Sequence, residues 1–276
     1  MSHPDTTSQD AVFQWRGIPQ PGQLLPLGLQ HVVAAVVGVI TPAILVADTC
    51  GLSSADKTLM IQVSLILTAL ATLLQLFPIF HRIGSGLPVI MGISFAYIPT
   101  LQAIGGEFGL PTILGAEIVG GIVAIVFGVL VKWIRPLFPP LVTGTVIFTI
   151  GLSLYPTAVK YMAGGAGSEW FGSAKSWAVA LITLAVVVFL NHFTKGITKL
   201  ASILIGILAG YVIAYFLGIV DLSGVGSAAW VALPRPMPFD IQFVPAACVS
   251  LGIVYVVNAV QTIGDLSSTT MGGMDR

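Results

Sequence analysis

The chain has 276 residues, of which 56% are hydrophobic and 8% charged, and its mean hydropathy is +0.98. A soluble domain carries roughly a quarter of its residues as charges, so this composition describes a protein built for lipid. Eleven basic and eleven acidic residues cancel, which leaves no basic field to attract nucleic acid.

Residues 1–26 are polar, lack a basic start followed by a short apolar run, and show no small-residue cleavage site, so they are read as a cytosolic tail. Eight apolar stretches follow at about 28–47, 58–80, 87–104, 110–131, 137–157, 175–193, 199–219 and 244–266. Each approaches the ~20 residues that a helix needs to cross hydrocarbon with its backbone groups satisfied internally. The fold class expected is an all-α polytopic membrane protein. The third stretch is short and contains Pro88, Gly92 and Pro99, so it is predicted to be a broken helix.

Orientation follows from the basic residues. With the N-terminus in the cytosol, Arg16, Arg82, Lys132, Arg135, Lys195, Lys199 and Arg276 fall inside, and Lys57, Lys160, Lys175 and Arg235 outside. The excess on the inner side favours this orientation. The Gly- and Pro-rich connection 221–243 then lies on the outer face, and the eighth span returns the chain to the cytosol.

Polar residues inside spans are costly and are functional candidates by default. Those singled out are His31 in the first span, Glu117 in the fourth, and Asn258, Gln261 and Asp265 in the eighth. The last three are spaced three and four residues apart and form a polar stripe along one helix face. A purely structural stripe bonded to a neighbouring helix is the competing reading, as is an Asp265 that merely reaches the cytosolic interface. Phe95 offers a flat apolar face beside Ser94, although ordinary helix packing is the plainer reading of it from composition alone. A histidine bonded to a nearby carbonyl is the plainer reading of His31, and Glu117 has no assigned role or partner. Cys50 and Cys248 lie far apart, and none of the four histidines pairs at i, i+4, so no disulfide framework, metal site or cofactor is expected. Enzymatic activity is not expected either.

Four segments together resemble the nucleobase-ascorbate transporter family, also called the nucleobase:cation symporter-2 or xanthine/uracil permease family. They are Gln30-His31, Ser94-Phe95-Ala96, Pro139-Pro-Leu-Val-Thr-Gly-Thr with Ile150-Gly151, and Gln261-Thr-Ile-Gly-Asp265. The resemblance implies fourteen spans in two inverted halves of seven. Residues 27–135 would be core-domain spans 1–4, 136–220 gate-domain spans 5–7, and 244–276 core-domain span 8. It implies a purine substrate such as xanthine or uric acid, moved with protons by a homodimer in the cell membrane.

The resemblance also implies roles for single residues. Phe95 would stack on the base and Ser94 tune purine preference. Gln261 would bond the base, Asp265 would serve proton coupling, and His31 would support the region of spans 1 and 3. Gly38 and Gly264 would permit close packing. The family usually has glutamate where Gln261 stands, and an amide cannot take up a proton in the working range. The sequence stops after span 8, so an N-terminal portion of a longer transporter is expected. An anion carrier of the same architecture and a non-transporting remnant are the alternatives.

Overall fold

The computed structural model describes residues 21–79, 83–134, 139–165, 168–195, 197–220, 235 and 239–273. Most of the expected tail and most of the outer connection lie outside these residues, as do Arg16, Arg82, Arg135 and Arg276.

Among the described residues the regular structure is helical, apart from a single antiparallel bridge between Ile79 and Ile83. The helices are α1 (Pro21–Thr49), α2 (Ser54–Leu76), α3 (Ile98–Phe108), α4 (Leu110–Ile134), α5 (Pro140–Ser153), α6 (Tyr155–Met162), α7 (Ala174–Phe193), α8 (Ile197–Leu200), α9 (Ser202–Phe216) and α10 (Pro245–Gly273). Every one of the eight apolar stretches coincides with one or more of them. Segments Ser54–Leu76, Leu110–Trp133, Ala174–Phe193 and Pro245–Ser267 are each long and apolar enough to cross a membrane. Their large exposed side chains, such as Leu67, Ile125, Leu181 and Ile253, suit a lipid surround rather than water.

Two spans are divided. The fifth splits at Leu154, where Pro156 sits in the first turn of α6, a place that tolerates proline because the missing N–H is unpaired there anyway. The seventh splits at Ala201 between α8 and α9.

The third span is broken, as its prolines predict. Residues 84–94 carry no helix, and their backbone turns to α2 for partners: Gly86 N–H donates to the Gln75 carbonyl at 2.8 Å and Met91 N–H to Thr72 Oγ1 at 3.0 Å. These bonds satisfy groups that would otherwise be stranded in hydrocarbon. Ser94 then accepts from Ala96 N–H at 3.3 Å and opens a single 3₁₀ turn, Phe95–Tyr97, that leads into α3.

The chain forms two compact units. One gathers Ala35–Thr49 of α1 with α2, α3, α4, α5 and α10; the other holds Pro21–Ala34 of α1 with α6 to α9. The first unit is centred on Val46, Leu101, Ile104, Leu110, Ile113, Ala116, Ala247 and Leu251. Its main contact is α4 against α10, side by side from a shared start where Gln242 N–H donates to the Pro111 carbonyl at 3.0 Å. Glycines set how closely they approach. A methyl group on Gly115 would strike the Gln242 carbonyl, and one on Gly120 would strike the Tyr255 ring. Gly38 was expected to play this part, but a methyl group there meets nothing within 4 Å among the described residues.

In the second unit α7 packs on α9 by the same means, with Gly206 against Val187 and Gly210 against Thr183. The turn before α7 is tied by Ser176 Oγ, which donates to the Trp170 carbonyl at 2.8 Å. Lys175 caps it, its ammonium 4.6 Å from the Trp170 ring centre.

Candidate functional site

The first unit encloses a cavity of about 560 Å³, within the ~300–1,000 Å³ of small-molecule sites. Aliphatic side chains of α1, α2, α3 and α4 form most of its wall, and eight polar or aromatic residues stand among them: Ser64, Ser94, Tyr97, Glu117, Arg235, Phe239, Tyr255 and Asn258.

The route from sequence to this wall is short. Breaking the third span puts Ser94 at the cap of a 3₁₀ turn that packs against α10, and Tyr97 in that turn meets Tyr255 of α10. Gly120 lets the Tyr255 ring lie against α4, which brings its hydroxyl to Glu117, one turn earlier on the same face. The Tyr255 hydroxyl donates to Glu117 Oε2. Tyr97 and Tyr255 pack with ring centres 4.8 Å apart at 56°, a tilted pairing of the kind aromatic quadrupoles favour. The Asn258 side chain is within hydrogen-bonding reach of the Tyr97 hydroxyl.

The residues singled out from sequence are distributed unevenly about this cavity. Ser94 and Asn258 are on its wall. Phe95 is half-buried in the same 3₁₀ turn, which packs against α10, but it is not part of the wall. Gln261 is one turn beyond Asn258 and is not part of the wall; its side-chain oxygen is buried and has no hydrogen-bond partner among the described residues. Asp265 is exposed, about 30 Å along α10 from Pro245. His31 is exposed on the part of α1 that belongs to the second unit.

Glu117, Tyr97 and Tyr255 were not assigned to the site from sequence. Glu117 and Tyr255 are 138 positions apart, and no local pattern links them. A usable signal was nevertheless present: Gly115 and Gly120 bracket Glu117 in an otherwise apolar span, marking a face where another helix comes close.

The cavity is thus walled by a broken helix and by polar groups of two packed helices, in a chain whose segments are apolar and long enough to cross a membrane. A family model described as a permease family, Xan_ur_permease, matches residues 22–271. The chain belongs to this family, the xanthine/uracil permeases or nucleobase-ascorbate transporters.

Among its relatives, the xanthine permease of Bacillus subtilis (strain 168) is 37% identical over 261 residues, covering 92% of this chain and 59% of that protein. The uric acid permease PucK of the same organism is 38% identical over 251 residues, 88% of this chain and 56% of its own length. The uric acid transporter UacT of Escherichia coli (strain K12) is 33% identical over 250 residues, with 90% and 52% covered. The chain thus spans between half and three-fifths of the length of these relatives.

Proposed function

We propose that this chain serves the secondary active transport of a purine nucleobase, xanthine or uric acid, across the cell membrane, driven by protons. The observation that carries this reading is the cavity of the first unit, where the broken third span and α10 bring Ser94, Tyr97 and Asn258 to one wall. Family membership and the substrates in the relatives' names point the same way.

A planar heterocycle needs a flat apolar surface and a few fixed hydrogen-bond partners. In this reading Phe95, half-buried in the turn beside the wall, swings its ring into the cavity to supply the surface, and Ser94 tunes which purine fits beside it. The buried, unpartnered oxygen of Gln261 takes a ring N–H; a desolvated acceptor left unpaired costs ~1–3 kcal/mol, so such a bond is favoured. Asn258 holds the wall in place, His31 supports the first span, and Asp265 takes part in coupling.

The same proposal extends to architecture. The described helices are the opening spans of a seven-plus-seven inverted repeat, with 27–135 and 244–276 in the core, 136–220 in the gate, an N-terminus in the cytosol, and two copies in the working assembly.

Uptake of labelled xanthine, uric acid and uracil at several pH values, by cells expressing the full reading frame, tests the proposal. Accumulation of xanthine or uric acid that weakens in Phe95→Ala is expected. If no base accumulates, the reading fails. Arg235 on the cavity wall favours a second reading, a small-anion carrier. Competition by sulfate or bicarbonate, with indifference to bases, would establish that one instead.

A further inference from the structure

Glu117 sits where neither stacking nor base recognition explains it. It lies about 10 Å into α4 and Tyr255 about 15 Å into α10, so both are well inside the spans. A carboxyl group in mid-membrane costs about 2.5–3.5 kcal/mol on insertion scales, so its presence needs a compensating role. A glutamine could accept the Tyr255 hydroxyl equally well at lower cost. What glutamate adds is the ability to gain and lose a proton.

The surroundings suit both states. From α10 come the Tyr255 hydroxyl, bonded to Glu117, and the Asn258 amide; from the third span come Tyr97 and Ser94. From α2 comes Ser64, and from the segment before α10 the one cation on the wall, Arg235. The lining residues of α1 and α3 are apolar. When ionised, the carboxylate has the tyrosine donor and shares the cavity with the cationic residue Arg235. When protonated, it still accepts from Tyr255 and presents its own O–H to the cavity. The other candidates are less well placed: Gln261 does not titrate in the working range, and Asp265 is exposed near the far end of α10.

We propose that Glu117 is a proton-carrying residue of this cavity. The carboxylate takes one proton from water to become the carboxylic acid as the base enters. Its O–H then bonds a carbonyl or ring nitrogen of the base, and the proton returns to water when the base leaves. The identity of that acceptor rests on the nucleobase reading; the protonation of Glu117 does not.

Two measurements on the protein from its full reading frame test this, in wild type, Glu117→Gln and Tyr255→Phe. In reconstituted protein, an infrared titration should show a carboxylic-acid carbonyl band that is lost in Glu117→Gln and shifted in Tyr255→Phe. A titrating band unchanged in Glu117→Gln overturns the proposal, whatever is transported.

In vesicles with an imposed pH gradient, one coupled proton supports about tenfold accumulation of xanthine per pH unit in wild type. Glu117→Gln should fall to about onefold, because no proton is then carried with the base. Full, pH-dependent accumulation in Glu117→Gln overturns the proposal and leaves nucleobase transport standing. No xanthine or uric acid transport by wild type sinks the nucleobase reading alone, and the infrared band then decides the role of Glu117. If Glu117→Gln does not fold, Tyr255→Phe decides: loss of a donor to the carboxylate should move the pH of half-maximal accumulation, or the infrared midpoint, upward. No shift in either overturns the proposal.

Discussion

The α4/α10 pair of the first unit and the α7/α9 pair of the second are built by the same packing device and differ in what they enclose. In each, glycines bring two apolar helices together: Gly115 and Gly120 in one, Gly206 and Gly210 in the other. Each unit also has a cavity, about 560 Å³ in the first and about 480 Å³ in the second. The second is walled by Tyr161, Ser176, Thr183 and aliphatic side chains, with no carboxylate, amide or guanidinium among its lining residues. The first holds all three. Close packing of small residues is therefore general scaffolding in this molecule, and the placement of costly polar groups separates a site from a void.

That contrast can be broken by substitution. Gly115→Ala drives a methyl group into the Gln242 backbone, which cannot rotate away as a side chain would; a loss of about 1–3 kcal/mol of stability is expected, read as a lower melting temperature in detergent. Base binding should fall with it, because Tyr255 and Asn258 ride on the displaced α10. Gly206→Ala overlaps only the Val187 side chain. It should lower stability less and leave xanthine affinity unchanged in a binding assay; a large loss of affinity would mean that the two pairs are not functionally distinct.

Asn258→Ala removes the group that holds the Tyr97 hydroxyl in the wall, and about a tenfold loss of affinity is expected, the value of one well-placed hydrogen bond. Lys175→Gln is the mildest change. It removes a cation 4.6 Å from the Trp170 ring centre, worth about 0.5–1 kcal/mol at an exposed site, and transport should be untouched.

The difference between the two pairs also marks what was legible in the sequence. The helices were readable because the cost of unpaired backbone in lipid forces long apolar runs: all eight runs contain helix, and four of the described helices are long and apolar enough to cross a membrane. The break in the third span was readable from Pro88, Gly92 and Pro99, since proline removes a helical donor. The division of the fifth span at Leu154 was not read, although Pro156 marks it by the same logic. Asn258 stood out in the sequence as a polar residue in an apolar span and Ser94 through its segment's resemblance to the family, and both line the cavity. The Glu117–Tyr255 bond escaped notice because it depends on how far α4 and α10 slide past each other, which residues distant in sequence decide jointly. Tyr97 and Tyr255 read as ordinary apolar content until the packing showed their hydroxyls facing polar partners.

The central claim is that the cavity between the broken third span and α10 receives the base. Thiol protection tests it most directly: Ser94→Cys and Asn258→Cys, each in a background with Cys50 and Cys248 replaced by serine, are alkylated with a small maleimide with and without xanthine or uric acid. The account predicts that base slows labelling at both positions and leaves a cysteine at Thr183, on the second unit's cavity, unaffected. Equal labelling rates with and without every base at both Ser94→Cys and Asn258→Cys would contradict it.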